Sequence, residues 1–189
     1  EIDPRPELAR AAERGVRLVG YHDPEYPSAL KNTYDPPFLL YVRGEFKPAD
    51  NSAVAIVGTR HASNYGLEQA ERFGSLLGRS GWTVVSGLAR GIDSAAHRGC
   101  LAARGRTLAV LGCGLSHVYP PENRDIAAEI AQSGAVISEF SMDTEPSREN
   151  FPRRNRIIAG LSLGVLVVEA PERSGALITA RLALEMNRT

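Results

Sequence analysis

Apolar positions along this chain follow two alternating rhythms. Short apolar runs ending in glycine or a polar residue alternate with longer stretches whose apolar positions recur every three or four residues. The short runs predict buried parallel strands at 52–58, 82–87, 107–112, 135–139 and 163–169. The longer stretches predict helices at 65–79, 92–103, 121–132, 153–161 and 176–187. In the first of these helices Leu67, Ala70, Phe73, Leu76 and Leu77 make the apolar stripe. Ser63 or Asn64 serves as its N-cap and Gly81 as its stop. Strands joined through helices imply right-handed crossovers. The expected fold is therefore α/β: a doubly wound, mainly parallel sheet with helices on both faces.

Before residue 52 the rhythm changes. Residues 5–14 read as a short helix, 21–37 as a connection rich in proline and tyrosine, and 38–42 as an extra strand added to the sheet. This divides the chain into an N-terminal helical and linker remnant, 1–37, and a main nucleotide-binding-type domain, 38–189. The last residue, Thr189, follows directly on a helix, where a further strand is expected, so the domain reads as truncated at its C-terminal end.

Composition changes this picture little. A chain of 189 residues with 43% apolar and 23% charged residues can bury a full core. It holds no apolar run long enough to span a membrane. Its opening Glu1-Ile2-Asp3-Pro4 lacks the basic head and apolar centre of a signal peptide. Two cysteines, Cys100 and Cys113, make neither a disulfide framework nor a metal cage, and a reducing cytoplasm fits them. A net charge of zero weighs against a general DNA-coating protein. Charge is uneven, however: Arg148, Arg153, Arg154 and Arg156 face a single acid, Glu149, between 148 and 156.

In a doubly wound sheet, ligands bind beyond the carboxyl ends of the strands, near the switch in strand order. The residues predicted there are Gly58-Thr59-Arg60, residues 86–91 from Ser86-Gly87, Gly112-Cys113-Gly114, Glu139-Phe140-Ser141, and residues 169–175 ending in Ser174-Gly175. Glycine admits a ligand close to the backbone, and helix N-termini attract anions. Glycines also make ordinary strand-to-helix turns, but several on one rim favour a phosphate site. The G-x-G-x-x-G fingerprint is absent after the first strand of the domain, and no Walker lysine loop occurs, so no nucleotide cofactor is assigned. Arg60 suits a phosphate through its planar fork, or else a surface ion pair. The arginine-rich stretch adds Phe151 and Asn155, a combination suited to single-stranded nucleic acid, where cations meet phosphates and a ring stacks on a base. Its plainer reading is a helix with a basic exposed face. Arg153 and Arg156 share one side of that helix, and Arg154 points elsewhere.

Enzymatic readings are thinner. Asp93 and His97, four apart on a helix, suit an acid–base pair or a buried structural contact. Cys113 is a nucleophile without an evident base, or a small buried thiol. Glu139 and Glu169 end strands, where a carboxylate acts as a base, caps a helix or pairs with arginine. No histidine–cysteine cluster has metal-ligand spacing.

Four motifs in order carry a resemblance. They are Ala55-Ile56-Val57-Gly58-Thr59-Arg60 with Tyr65-Gly66; Ser86-Gly87-Leu88-Ala89-Arg90-Gly91-Ile92-Asp93 with Ala96-His97; residues 151–162, which read FPRRNRIIAGLS; and residues 174–180, SGALITA. From about Tyr21 onward the chain resembles the DprA/Smf family of DNA-processing proteins. The resemblance implies an extended Rossmann-like domain that binds single-stranded DNA, protects incoming strands during natural transformation and helps load the RecA recombinase. It implies a homodimer and no catalysis. By motif position it implies that Arg60 grips a phosphate, that Arg148 is a basic DNA contact and that Phe151 is an aromatic one. Other members add an N-terminal helical domain and a C-terminal winged helix, and this chain shows at most a remnant of the first. The rival expectation is a phosphoribohydrolase acting on nucleoside monophosphates with Glu139 or Glu169 as acid or base. Its usual Pro-Gly-Gly-x-Gly-Thr loop is replaced here by Glu172-Arg173-Ser174-Gly175-Ala176. A third expectation is an assembly partner with a vestigial pocket.

Overall fold

The fold is described by a computed structural model for residues 3–189; Glu1 and Ile2, the first residues of the expected N-terminal segment, lie outside it. In chain order the elements are α1 (Arg5–Glu13), β1 (Arg17–Gly20), α2 (Ser28–Lys31), β2 (Leu39–Gly44), β3 (Ala53–Val57), α3 (Asn64–Arg79) and β4 (Thr83–Ser86). There follow α4 (Ile92–Ala102), β5 (Thr107–Val110), α5 (Arg124–Ser133), β6 (Ala135–Ser138), α6 (Asn150–Leu161), β7 (Gly164–Val167) and α7 (Gly175–Glu185). All seven strands join one sheet in the order β1-β2-β6-β5-β4-β3-β7. The β6-β5-β4-β3-β7 portion is parallel, and β1 and β2 add an antiparallel pair beside β6. The sequence expectation of a doubly wound, mainly parallel sheet is met.

Side chains alternate across this sheet with the two-residue period of a strand. Ala53, Ala55 and Val57 of β3, Val85 of β4, Leu108 and Val110 of β5, and Ala135 and Ile137 of β6 face one side. There they meet Leu30 of α2, Ile157, Ile158 and Leu161 of α6, and Ala176 of α7. The intervening residues face the other side. Ile56 and Val84 pack on Ala70 of α3 and on Ile92, Ala95 and Ala96 of α4. Tyr41, Ala109 and Val136 pack on Ala11 of α1 and on Ala127 and Ile130 of α5. Both faces are covered, which is why the central strands read as nearly continuous apolar runs.

Two features depart from the sequence expectation, and the added strand takes a direction that expectation left open. The segment before residue 38, expected as helix and linker, contributes the edge strand β1, whose Leu18 lies opposite Tyr41. Only Val19 of this short strand is buried, so it has no apolar run to announce it. The added strand β2 runs antiparallel to β6, a direction set by its partners rather than by its own residues. Helix α6 begins at Asn150, three residues before the expected start, with Pro152 inside the first turn. Proline is tolerated there because the first N–H groups of a helix have no intrahelical partner. Beyond α7, Thr189 donates its N–H to Leu163 O at 3.2 Å and accepts from Val165 N–H at 2.8 Å. It thus lies along the outer edge of β7. Among the described residues no helix is long and apolar enough to cross a membrane.

The topology fixes where a ligand can enter. From β3 the chain winds through β4, β5 and β6 in one direction. It then returns through α6 to place β7 on the opposite side of β3. The connections after β3 and β7 leave in opposite senses and open a crevice beyond their carboxyl ends.

Candidate functional site

A cavity of about 280 Å³ occupies that switch point. One wall is the turn after β3, with Gly58, Thr59, Arg60 and His61. A second is the first turns of α6, with Phe151, Pro152, Arg154 and Asn155. The third is the start of α7, with Ser174, Gly175 and Thr179. Each wall is held from behind. Thr59 N–H donates to Glu169 O at 2.7 Å, tying the ends of β3 and β7 together. Asn155 Nδ2 donates to Gly175 O at 3.2 Å and pins α7 to α6. Ser174 Oγ accepts from Leu177 N–H and caps α7.

Arg60 and Phe151 stand together at this cavity. The Arg60 guanidinium lies 4.8 Å from the centre of the Phe151 ring, within cation–π range. Arg60 is exposed, and no carboxylate among the described residues forms an ion pair with it. An unpaired, aromatic-braced guanidinium keeps its donors for a ligand.

Arg154 is the opposite case. It is 4% exposed, and it donates to Gly87 O at 2.8 Å, to Val110 O, and to Asn155 Oδ1 at 3.2 Å. Gly87 is held from its other side too, because its N–H donates to Asp93 Oδ2 at 3.1 Å. A Cβ at Gly87 would lie 2.5–2.6 Å from the Arg154 guanidinium, so any larger residue must displace that side chain. Burial pushes Arg154 down to about 10, the Asp93 charge holding against further loss, and it stays protonated at neutral pH. Burial pushes the Asp93 carboxyl up, and Arg154 pulls it back. The result is a fixed positive charge in the cavity wall, positioned by β4, β5 and α4 together.

Not every expected site residue gathers here. Gly58, Thr59, Arg60, Phe151, Arg154, Asn155, Ser174 and Gly175 line the cavity, and Gly87 lines a cleft continuous with it. Ser86 does not: it is fully buried, and its hydroxyl donates to Ile56 O at 2.6 Å. Arg156 faces away and pairs with Asp35 at 2.9 Å and Glu139 at 2.7 Å. Arg153 lies on the same side of α6, with its guanidinium 5.6 Å from the Phe140 ring centre. This is the division of the helix its periodicity predicts. Arg148 is exposed in the turn before α6 and borders none of the cavities described here.

The candidate acids and bases are engaged structurally. Glu169 accepts from Ser63 N–H at 3.1 Å and from Ser63 Oγ at 2.8 Å, and Ser63 in turn caps α3 through Gly66 N–H. Glu139 is the partner of Arg156. Asp93 and His97 are both buried and do not form a pair: Asp93 holds Gly87, and His97 Nδ1 lies 2.7 Å from Thr107 Oγ1. Cys113 is buried, and burial pushes its thiol up to about 11. Sequence reasoning missed His61, which follows Arg60 directly, and Tyr119, which sits in an irregular stretch with no periodic signal.

Comparison with known proteins agrees with this fold. The sequence profile of the family described as DNA recombination-mediator protein A matches residues 17–189. Protein Smf of Synechocystis is 44% identical over 99% of this chain and 48% of its own length. DNA processing protein DprA of Bacillus subtilis is 41% identical over 96% of this chain and 61% of its own. The chain therefore spans about half to three fifths of these curated relatives. Among solved structures, DprA from Streptococcus pneumoniae superposes with a TM-score of 0.89 at 39% identity, over 99% of this chain and 65% of that one. DNA processing protein A from Helicobacter pylori, described for its single-stranded DNA binding mode, gives 0.80 at 32% identity, over 90% of this chain and 80% of that one. A molybdenum cofactor binding protein from Rippkaea orientalis, 20% identical with a TM-score of 0.54, shares the fold alone. With the family profile matched from β1 to the last residue, the chain belongs to the DNA recombination-mediator protein A family.

Proposed function

We propose that this chain binds single-stranded DNA at the switch-point cavity and acts in DNA processing during natural transformation. The observation that carries the reading is Arg60, unpaired and braced on Phe151 beside a cavity that also holds the buried charge of Arg154. Phosphates suit the guanidinium fork and the backbone N–H groups around it. A base suits the Phe151 ring, and such stacking contributes about 1–3 kcal/mol per base with little sequence preference. The single-stranded DNA binding mode described for the Helicobacter pylori relative supports the same assignment. Exposed Arg148, three residues before Phe151, offers a further phosphate contact at the entrance to α6. Within this proposal a cytoplasmic homodimer shields the incoming strand and helps load RecA onto it.

The phosphoribohydrolase alternative requires a free carboxylate facing the cavity. Glu169 is tied to Ser63 and Glu139 to Arg156, and the carboxyl nearest the cavity, Asp93, is bound to Gly87 N–H. No observation favours it.

Titration of fluorescent oligo-dT tests the proposal. Arg60→Ala is expected to weaken binding by about tenfold or more and Phe151→Ala by about fivefold or more, in line with about 1.5–3 kcal/mol for a charged hydrogen bond and about 1–3 kcal/mol for a stacked base. Parent-like affinity in the Arg60→Ala protein would show that the strand binds elsewhere.

A further inference from the structure

The binding surface continues past Phe151. Arg60, Phe151 and Arg154 also border a narrower cleft floored by Gly112 and Cys113 and closed by Tyr119. The Tyr119 ring packs 5.8 Å from Phe151, tilted by 31°, and the Arg90 guanidinium lies 5.9 Å from its centre. On the far side of Tyr119 opens another cavity, of about 350 Å³.

Three arginines from distant parts of the chain converge on that cavity: Arg14 just after α1, Arg43 on β2 and Arg124 at the start of α5. Arg10, Arg17, Arg90, Arg98, Arg106 and Arg156 each reach a carboxylate. None of the three around the cavity does so among the described residues. Arg43 donates once, to Leu115 O at 2.9 Å. Burial, reinforced by neighbouring Arg14, pulls its pKa down, a sign that the cavity lacks negative charge. Ser116, in the same wall, has a buried hydroxyl oxygen without a hydrogen-bond partner. A cluster of unpaired cations beside an unsatisfied hydroxyl, in a chain of zero net charge, is built for an anion with several acceptor oxygens.

We infer that this cavity is a second phosphate site, which takes the continuation of the strand gripped at Arg60 after it passes over Phe151 and Tyr119. The inference rests on the single-stranded DNA reading above. It adds that the protein holds two phosphate groups of one strand, separated by an aromatic bridge. A free nucleotide or inorganic phosphate presents the same chemistry, and length of ligand separates these sources.

The test uses the double variant Arg14→Gln/Arg124→Gln, whose side chains are exposed and make no ion pair among the described residues. Parent, double variant and Arg60→Ala are titrated with oligo-dT from about 4 to about 16 nucleotides, the range of single-strand site sizes. The double variant is expected to match the parent on the shortest strand and to gain little with length, ending about tenfold weaker on the longest. Its salt slope should shrink by about 0.7, the value for one lost phosphate contact on a single strand. Arg14→Lys/Arg124→Lys should recover most of the length-dependent gain. Arg60→Ala should be weak at every length. A double variant indistinguishable from the parent at all lengths overturns the second site and leaves the first standing. An equal loss at all lengths marks general electrostatics and also overturns it. Loss of inorganic phosphate or dTMP binding with unchanged length dependence assigns the cavity to a free anion instead. A parent that binds no oligonucleotide removes both readings.

Discussion

At the scale of single residues, this site depends on two arginines doing different things. Arg60 is exposed and free, so its cost to the fold is small and its donors are open to a ligand. Arg154 is buried, and its charge is tolerated because carbonyls of β4, β5 and a neighbouring side chain receive its N–H groups while Asp93 supplies the opposing charge. Gly87 is where the two halves of this arrangement meet, its carbonyl on Arg154 and its N–H on Asp93. Gly87→Ala must therefore move the guanidinium. Overpacking of this kind costs about 1–3 kcal/mol, and the displaced charge should weaken single-stranded DNA binding along with it. Urea unfolding and oligo-dT titration on the same preparation check both effects. An unfolding midpoint equal to the parent's would mean that the loop yields without moving Arg154. The place of Arg60 at the cavity was legible in the sequence, because a glycine-terminated strand followed by arginine is a local signal. Arg156 lies off the cavity in an ion pair with Glu139, a carboxylate the sequence offered as an arginine partner, and with Asp35, which is 121 positions away and leaves no local trace.

At the scale of elements, the parts of the site that were legible are those set by periodicity. The buried strands, α3, α4 and α7 follow from apolar spacing. The Arg153/Arg156 face of α6 follows from helical phase, and its true start does not. Residues 150–152 fall in a polar, proline-bearing stretch, and only docking against the sheet draws them into the helix and brings Phe151 to Arg60. The cap of α3 was half visible. Ser63 was a candidate N-cap, but the carboxylate behind it comes from the end of β7. Glu169 thus acts at a helix N-terminus, where a negative charge is favourable. Glu169→Gln should lower stability by about 1 kcal/mol, as loss of a capping interaction does, while oligo-dT affinity changes less than twofold. Urea unfolding and the same titration decide the matter. A large fall in affinity with unchanged stability would instead make Glu169 part of the ligand site.

At the scale of the molecule, α4, whose Asp93 supports the site, also buries a histidine against the start of β5, and this makes the fold sensitive to acid. Thr107 Oγ1 donates to Val84 O at 2.8 Å, so it can only accept from His97 Nδ1, which lies 2.7 Å away. The proton of neutral His97 therefore sits on Nδ1, and Nε2 is bare, buried and without a partner. A second proton would have to enter there, away from water and toward the charges of Arg154 and Arg98. Burial first, then those arginines, push His97 down to about 3. The unfolded chain takes up a proton near the ordinary value of 6.5, whereas the folded one does not until about 3. Stability is thus complete above 6.5 and falls as pH drops below it, by about 1.4 kcal/mol per unit. Asp93, whose carboxyl is raised in the fold, opposes this trend once it begins to protonate. Between pH 7 and pH 5 the parent should lose about 2 kcal/mol by urea unfolding. His97→Asn keeps a donor near Thr107 but has nothing to titrate, so most of this loss should vanish. Arg154, held at about 10, keeps its charge through this window. Oligo-dT affinity of the folded protein should therefore hold steady over the same range, separating acid loss of the fold from loss of the site. An equal pH slope in His97→Asn and parent would place the sensitivity on another group and detach it from the buried imidazole.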